Sequence, residues 1–235
     1  MEQLKELSLA KIVLLKPATA SVFEKYNLDF CCKGKQNLAS ALEGNESLLN
    51  QVNSELNSIF NTQDFSSSFK PDTLSLSQLI EYIIENHHRY VKEILPVIYA
   101  HTQKIANKHG ERHPELIAIA ELFSQIKEDF EQHLAKEEEI LFPKIIELEK
   151  LKNGKIGSQL TIGAPIQAMM MEHELAGKLT QDIKSLSKGY TPPMDACTTY
   201  QLTFAELKEF ELNLHQHVHL ENNILFPKAL ELFAN

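Results

Sequence analysis

The chain has 235 residues, of which 43% are apolar, with eight glycines, nine prolines, no tryptophan and a formal net charge of −9. This length allows one large domain, or a main domain with a small one, and the apolar share suffices for a packed core. The acidic balance argues against nucleic acid or an anionic membrane as partner, and no run of about 18 apolar residues marks a membrane span.

The N-terminal stretch MEQLKELSLAK lacks the basic start and apolar run of a secretory leader, which predicts a cytoplasmic protein. Residues 1–16 carry the apolar stretch LAKIVLLK, which Pro17 interrupts. PATASVFEKYNL reads as a short helix with Val22, Phe23 and Tyr26 on one side, and the turn DFCCKGK follows it. Two helical patterns come next, QNLASALEG and NESLLNQVNSELNSIF, the second with Leu48, Leu49, Val52, Leu56 and Ile59 at a period near 3.6. Residues 1–60 are therefore expected to form a small helical module, marginal in isolation and suited to docking on the rest of the chain. Residues 61–76, polar and serine-rich, read as a linker.

Residues 77–235 hold four long helical patterns. The first runs from about Ser77, taken as its cap, to Asn107, and the second from Pro114, at a first helical position, to Leu151. The glycine-containing stretch 152–163 connects to the third, Ala164 to Lys188. After the turn GYTPPMD the fourth runs from Cys197 to Phe233. The expectation is an all-α fold, a four-helix bundle preceded by the small helical module.

The second and fourth patterns contain a duplication, HLAKEEEILFPK at 133–144 and HVHLENNILFPK at 217–228. One offset of 84 residues separates His133 from His217, Glu137 from Glu221 and Pro143 from Pro227. His and Glu four apart share a helix face, so an imidazole and a carboxylate can reach one metal or two neighbouring metals. Prolines at matched places inside helices remove a backbone bond and bend the axis. The helix before each copy carries a further histidine, His88 and His173. In an antiparallel bundle, His88, His133, Glu137, His173, His217 and Glu221 can meet at one interior level. Four imidazoles and two carboxylates suit a pair of borderline divalent ions with bridging carboxylates, iron best and zinc or manganese as alternatives.

Other residues compete with this set. A single His-x3-Glu pair is usually a solvated helical contact, but two copies at a fixed offset are not explained that way. His87 lies about 100° around the helix from His88 and is the weaker candidate. His109 is about 31 Å along a continuous helix from His88, too far unless the helix breaks. Glu138, Glu139 and His215 are expected at solvent or behind the ligands, and His219 on nearly the opposite face from His217.

Three cysteines make no disulfide framework. Adjacent Cys31 and Cys32 have Cα atoms about 3.8 Å apart, below the usual disulfide range, so free thiols in a reducing compartment are expected. Lys33, Lys35 and a following helix start should favour thiolate. One of the pair could equally be a small buried apolar residue, and Cys197 is read as packing.

The HxxxE…LFP segments resemble the hemerythrin-like di-iron domain. NLDFCCKGKQNLA at 27–39 resembles the cysteine-pair domain that precedes it in the repair-of-iron-centres family, the ScdA/YtfE di-iron proteins. LENNILFP, DACTTY and the module order agree with that family, whose usual segment is close to YCCGGK; Phe30 and Lys33 depart from it. The resemblance implies two non-haem irons in a carboxylate-bridged centre held by His88, His133, Glu137, His173, His217 and Glu221. It also implies a part in restoring iron–sulfur clusters damaged by nitric oxide or oxidants, with iron–sulfur proteins as clients and nitric oxide or oxygen as small ligand. Reaction of the di-iron centre with nitric oxide belongs to the same family picture. Cys31 and Cys32 would then relay nitrosyl groups or iron as thiols. A reversible oxygen- or nitric-oxide-binding carrier is the alternative, although oxygen-carrying hemerythrins use more histidines. A metal-free structural bundle is a third reading. Oligomeric state stays open, a homodimer included.

Overall fold

The computed structural model describes residues 3–61, 70–151 and 162–234. Among them all regular elements are helical, and the extended backbone pairs only at an isolated bridge between Ser8 and Asn37. Most of the expected linker and of the 152–163 connection lies outside the described residues.

The N-terminal module consists of α1 (Gln3–Glu6), α2 (Leu9–Leu15), α3 (Ala20–Lys25), α4 (Leu38–Ala41) and α5 (Glu46–Asn61). Local chemistry sets several of its boundaries. The Ser8 hydroxyl accepts the Lys11 N–H at 3.2 Å and starts α2, and the Asn37 carbonyl accepts the Ser40 N–H at 2.7 Å and starts α4. Pro17 opens a short 3-10 turn, Pro17–Thr19, so the helix expected from Pro17 onward begins only at Ala20. α5 is amphipathic and buries Leu49, Val52 and Leu56.

The bundle has four members. The first is α6 (Leu76–Ile83), a π turn (Ile84–His88) and α7 (Arg89–His109); the second is α8 (Glu115–Lys136), a π turn (Glu137–Leu141) and α9 (Phe142–Leu151). The third is α10 (Gly163–Leu186), and the fourth is α11 (Thr198–Leu220), a π turn (Glu221–Leu225) and α12 (Phe226–Ala234). α7 packs on α8 and α11, and α10 packs on the same two helices. Ser75, not Ser77, caps the first member. Its hydroxyl accepts the Gln78 N–H at 3.2 Å while the Gln78 side chain accepts the Ser75 N–H at 3.0 Å. Ser77 is instead bound by Glu149 of α9, which also accepts the Leu76 N–H at 2.6 Å and holds a negative charge at this helix start. Pro114 is the N-cap of α8 and precedes its first residue.

Two apolar clusters lie on either side of the middle of the bundle. One holds Leu76, Ile83, Phe142, Ile145, Leu225 and Phe226 with their neighbours. The other holds Ile98, Phe123, Phe130, Phe204 and Phe210 and runs without interruption into Leu9, Ile12, Phe23 and Leu56 of the N-terminal module. The module thus shares its core with the bundle, which offsets the small burial that about 60 residues achieve alone. No helix among the described residues is long and apolar enough to cross a membrane.

Polar contacts fix the docking. Glu24 meets His215 Nδ1 at 2.5 Å, and Asn223 donates from Nδ2 to the Cys31 carbonyl at 2.9 Å. The Phe30 ring packs edge-on against His219, with centroids 5.7 Å apart. Gly34 permits this approach. A Cβ there would collide with the Phe30 carbonyl and stand 2.8 Å from both Ala10 Cβ and Asn223 Oδ1. Gly34→Ala is therefore expected to destabilise the chain by about 1–3 kcal/mol, read as a lower urea midpoint. The control Lys35→Ala, at an exposed neighbour, should stay within about 0.5 kcal/mol.

Candidate metal centre

The three π turns sit at one level of the bundle and carry His88, Glu137 and Glu221, while His133, His173 and His217 enter that level from regular α-helix. In each, one hydrogen bond skips to the fifth residue back: Arg89 N–H to the Ile84 carbonyl, Phe142 N–H to Glu137, and Phe226 N–H to Glu221. A π turn widens the helix locally and re-aims the side chains that enter it. Glu137 and Glu221 open their turns, and Pro143 and Pro227 follow just after them. The 84-residue repeat thus extends to backbone geometry.

His88, His133, Glu137, His173, His217 and Glu221 converge in the interior, each no more than 2% exposed. They form two quartets that share both glutamates: His88, His217, Glu137 and Glu221, and His133, His173, Glu137 and Glu221. Within each quartet the candidate ligand atoms lie within 4.8 Å of one another. Nε2 of His88 faces Nε2 of His217 at 3.0 Å, and Nε2 of His173 faces Nε2 of His133 at 3.0 Å. Two nitrogens each about 2.1 Å from one ion, at a right angle, stand about this far apart. Glu221 spans the quartets, with Oε1 3.0 Å from His217 Nε2 and Oε2 3.2 Å from His173 Nε2. Glu137 Oε2 lies 3.3 Å from His133 Nε2 and 3.5 Å from His88 Nε2.

The donor set fits a pair of cations. All four carboxylate oxygens of Glu137 and Glu221 are buried without a hydrogen-bond partner among the described residues. A buried carboxylate left this way is costly unless a cation meets it. Burial pushes the Glu221 carboxyl up, yet the imidazoles of His217, His173 and His88 outweigh it and hold the group well below the usual carboxylate range. Burial lowers the His133 imidazole, and the Glu137 carboxylate overrides it, to about 9. Imidazole nitrogens and carboxylates are ligands for borderline first-row ions, and cation binding there must displace the imidazole proton.

Groups behind the ligands settle the tautomers. His88 Nδ1 meets Glu138 Oε1 at 2.8 Å, and Lys92 holds the same carboxylate at 2.6 Å. His133 Nδ1 meets Glu172 Oε2 at 2.8 Å, and Lys136 holds that carboxylate at 2.6 Å. His173 Nδ1 meets Asn222 Oδ1 at 3.0 Å. With Nδ1–H donating outward, the Nε2 lone pairs of these three rings point inward. The position after each shared glutamate performs one task in both repeats: Glu138 serves His88, and Asn222 serves His173. The 84-residue offset pairs Glu138 with Asn222 in the sequence. Glu172 escaped notice, since nothing in its local spacing separates it from a solvated helix residue. Glu139 is exposed and His215 pairs with Glu24.

The remaining histidines lie outside the quartets. His87 stacks on His217 at 5.7 Å and bonds Asn213 at 3.3 Å, and burial holds it down to about 4. α7 runs unbroken to His109, whose Nε2 lies 3.2 Å from Cys197 Sγ. His219 is buried against Phe30 of the N-terminal module.

The cysteines depart from expectation. Cys197 is exposed as the N-cap of α11 and is not a packing residue. The Cys31–Cys32 pair lies in the N-terminal module, away from the quartets, and is free, with Sγ atoms 4.0 Å apart. The expected lowering of thiol pKa does not hold for Cys31. The neighbouring Cys32 sulfur, burial and the Asp29 carboxylate push its thiol well above the usual range. Lys33 and Lys35 point into solvent, and the next helix starts only at Leu38.

A groove of about 100 Å³ lined by Phe130, Lys136 and Glu172 reaches His133, the one member of the second quartet that borders it. Changing Glu138 or Glu172 to Gln removes the anionic partner of one ligand imidazole. Each change is expected to weaken metal binding about 10–100-fold with unchanged helix content, as measured by chelator competition and circular dichroism.

Comparison with known proteins agrees with this architecture. Residues 79–229 match the hemerythrin HHE cation binding domain, and residues 5–59 match the ScdA_N domain, a domain of unknown function (DUF542). A probable iron-sulfur cluster repair protein of Haemophilus influenzae is 33% identical over 222 residues, covering 94% of this chain and 96% of the relative. The iron-sulfur cluster repair protein ScdA of Staphylococcus epidermidis is 32% identical over 226 residues, covering 96% of this chain and 98% of the relative. The iron-sulfur cluster repair protein YtfE of an Enterobacter species is 34% identical over 222 residues, covering 94% and 96%. With both domains in the same order and the similarity spanning nearly its whole length, the chain belongs to the ScdA/YtfE family of hemerythrin-like proteins.

Proposed function

We propose that this protein supports the repair of iron–sulfur clusters damaged by nitrosative or oxidative stress, through two irons held by His88, His133, Glu137, His173, His217 and Glu221. The observation that carries the reading is the pair of buried quartets sharing two carboxylates that have no hydrogen-bond partner. The names of the relatives favour repair over a reversible oxygen or nitric-oxide carrier. A metal-free structural bundle is disfavoured by the same two carboxylates, because an apolar packing of equal volume would avoid their desolvation.

The bound irons would supply ligand exchange and one-electron chemistry toward nitric oxide or oxygen, or iron for a client. Glu137 and Glu221, which belong to both quartets, would hold both ions and balance their charge. Glu138, Glu172 and Asn222 hold three imidazoles with Nε2 facing inward. The apolar clusters on either side exclude water, which strengthens each electrostatic contact between them. Two imidazoles and two carboxylates of each quartet would hold one ion. Iron–sulfur proteins are the clients, and Cys31 and Cys32 serve as thiols in the exchange.

Glu137→Leu and Glu221→Leu, singly and together, test the reading. Bound iron is expected to fall toward zero in the double variant, and recovery of a nitric-oxide-inactivated iron–sulfur enzyme to be lost with it. Full recovery by a double variant that holds no iron would overturn the metal-centred mechanism.

A further inference from the structure

Away from the bundle's quartets, one other group of metal-ligating side chains stands out among the described residues: Asp29, Cys31 and Cys32. Their candidate ligand atoms lie within 4.8 Å of one another. Cys31 Sγ is 3.2 Å from Asp29 Oδ1 and 4.0 Å from Cys32 Sγ. Two thiolates bound to one ion at about 2.3 Å and a tetrahedral angle stand about 3.8 Å apart, so the sulfur pair needs only a small adjustment to share an ion. The same separation is far beyond a sulfur–sulfur bond of about 2.05 Å.

The turn is held from below and from the side. Asp29 Oδ1 accepts the N–H groups of Cys31 at 3.1 Å and Cys32 at 2.8 Å, which leaves further carboxylate lone pairs free. Asn223 fixes the Cys31 carbonyl from the bundle, two residues along the π turn that Glu221 opens. The turn borders a cavity of about 510 Å³ beside α10, lined also by Glu24, Lys33, Glu174, Lys178, Lys184 and His215. Cys32 is partly exposed there, so solvent or a donor group of another protein can complete a coordination sphere.

We propose that Asp29, Cys31 and Cys32 form a third, mononuclear metal site for a borderline-soft divalent ion of the iron(II) or zinc(II) type, with one position open to the cavity. Thiolate with carboxylate selects such ions over magnesium or calcium. On binding, two S–H bonds are replaced by two S–metal bonds and two protons leave to solvent; no electron is transferred. The site stands on its own geometry, and only its use as a station for iron passing to or from a client rests on the function proposed above.

Cobalt(II) reports thiolate ligation through its sulfur-to-metal charge-transfer absorption. The full-length chain, reduced with a phosphine and stripped of metal, is titrated with cobalt(II). The result expected is a charge-transfer band that accounts for one ion per chain and, in Glu137→Leu/Glu221→Leu, saturates with one. Cys31→Ser/Cys32→Ser should lose the band and one equivalent. Cys32→Ser alone, at a partly exposed position, guards against misfolding and should weaken the band. Asp29→Asn should lower affinity for this ion about tenfold or more in chelator competition, the scale on which metal sites respond to loss of a supporting group. Glu137→Leu/Glu221→Leu should keep the band while losing the bundle's ions, which separates failure of this site from failure of the di-iron reading. Absence of the band while both thiols titrate as free would overturn the proposal, as would a band that persists in Cys31→Ser/Cys32→Ser. An unchanged affinity in Asp29→Asn would remove Asp29 from the site.

Discussion

Two carboxylates in the middle of an apolar bundle impose the main constraint on this structure. Glu137 and Glu221 have no measurable exposure and no hydrogen-bond donor among the described residues. Removing such groups from water costs several kcal/mol each unless opposite charge meets them. The surroundings are organised for that charge. Four imidazoles approach the carboxylates from four helices, and behind three of those rings stand Glu138, Glu172 and Asn222. Lys92 and Lys136 close two of these chains near the surface, where their own charge stays solvated. Two of the four imidazoles, His88 and His133, are thereby tied through a carboxylate to a solvated lysine, whereas His217 Nδ1 is buried without a partner among the described residues.

The π turns set how three of the four bundle members aim side chains at one level, which α10 reaches with His173 from a regular helix. A regular helix rotates its side chains by about 100° per residue, so His-x3-Glu on its own places the two groups one above the other. The wider turn beginning at each shared glutamate shifts the following residues and brings the next side chain outward toward a neighbouring helix. Glu138 and Asn222 thereby reach His88 and His173. The proline that follows lacks a backbone donor, so it is tolerated where the ladder is already interrupted.

The two repeats differ where the N-terminal module docks. The first repeat exposes Glu139 to solvent, whereas the second places Asn223 at that position and uses it to hold the cysteine turn. Three consecutive residues of one π turn thus divide three tasks. Glu221 faces the quartets, Asn222 orients His173, and Asn223 anchors the Cys31 carbonyl. Buried Phe30 and His219 fill the space around this anchor, and burial keeps His219 neutral by lowering it to about 4. The cysteine turn and the centre therefore share a single short segment.

Helical class and the choice of six candidate residues were legible in the chain alone. Amphipathic periodicity and a duplication are properties of residue order, and a spacing of four on a helix is a spacing in space. The same offset of 84 residues pairs Glu138 with Asn222, but residue order alone assigns neither a role, because the imidazoles they serve lie on other helices. Tertiary structure decided what depends on neighbours far along the chain. It turned His88, already preferred over His87 in the sequence, toward the quartets and His87 onto Asn213, because packing sets the rotation of the helix. It recruited Glu172, whose partner His133 lies on another helix. It moved the start of the first bundle helix to Ser75, because Glu149 claims Ser77. It decided between the two readings of Cys31 in favour of the buried one, since Asp29, Cys32 and burial surround the sulfur. Nearest-neighbour chemistry predicts a side chain's options, but desolvation and cross-helix partners choose among them, and those exist only once the chain has folded.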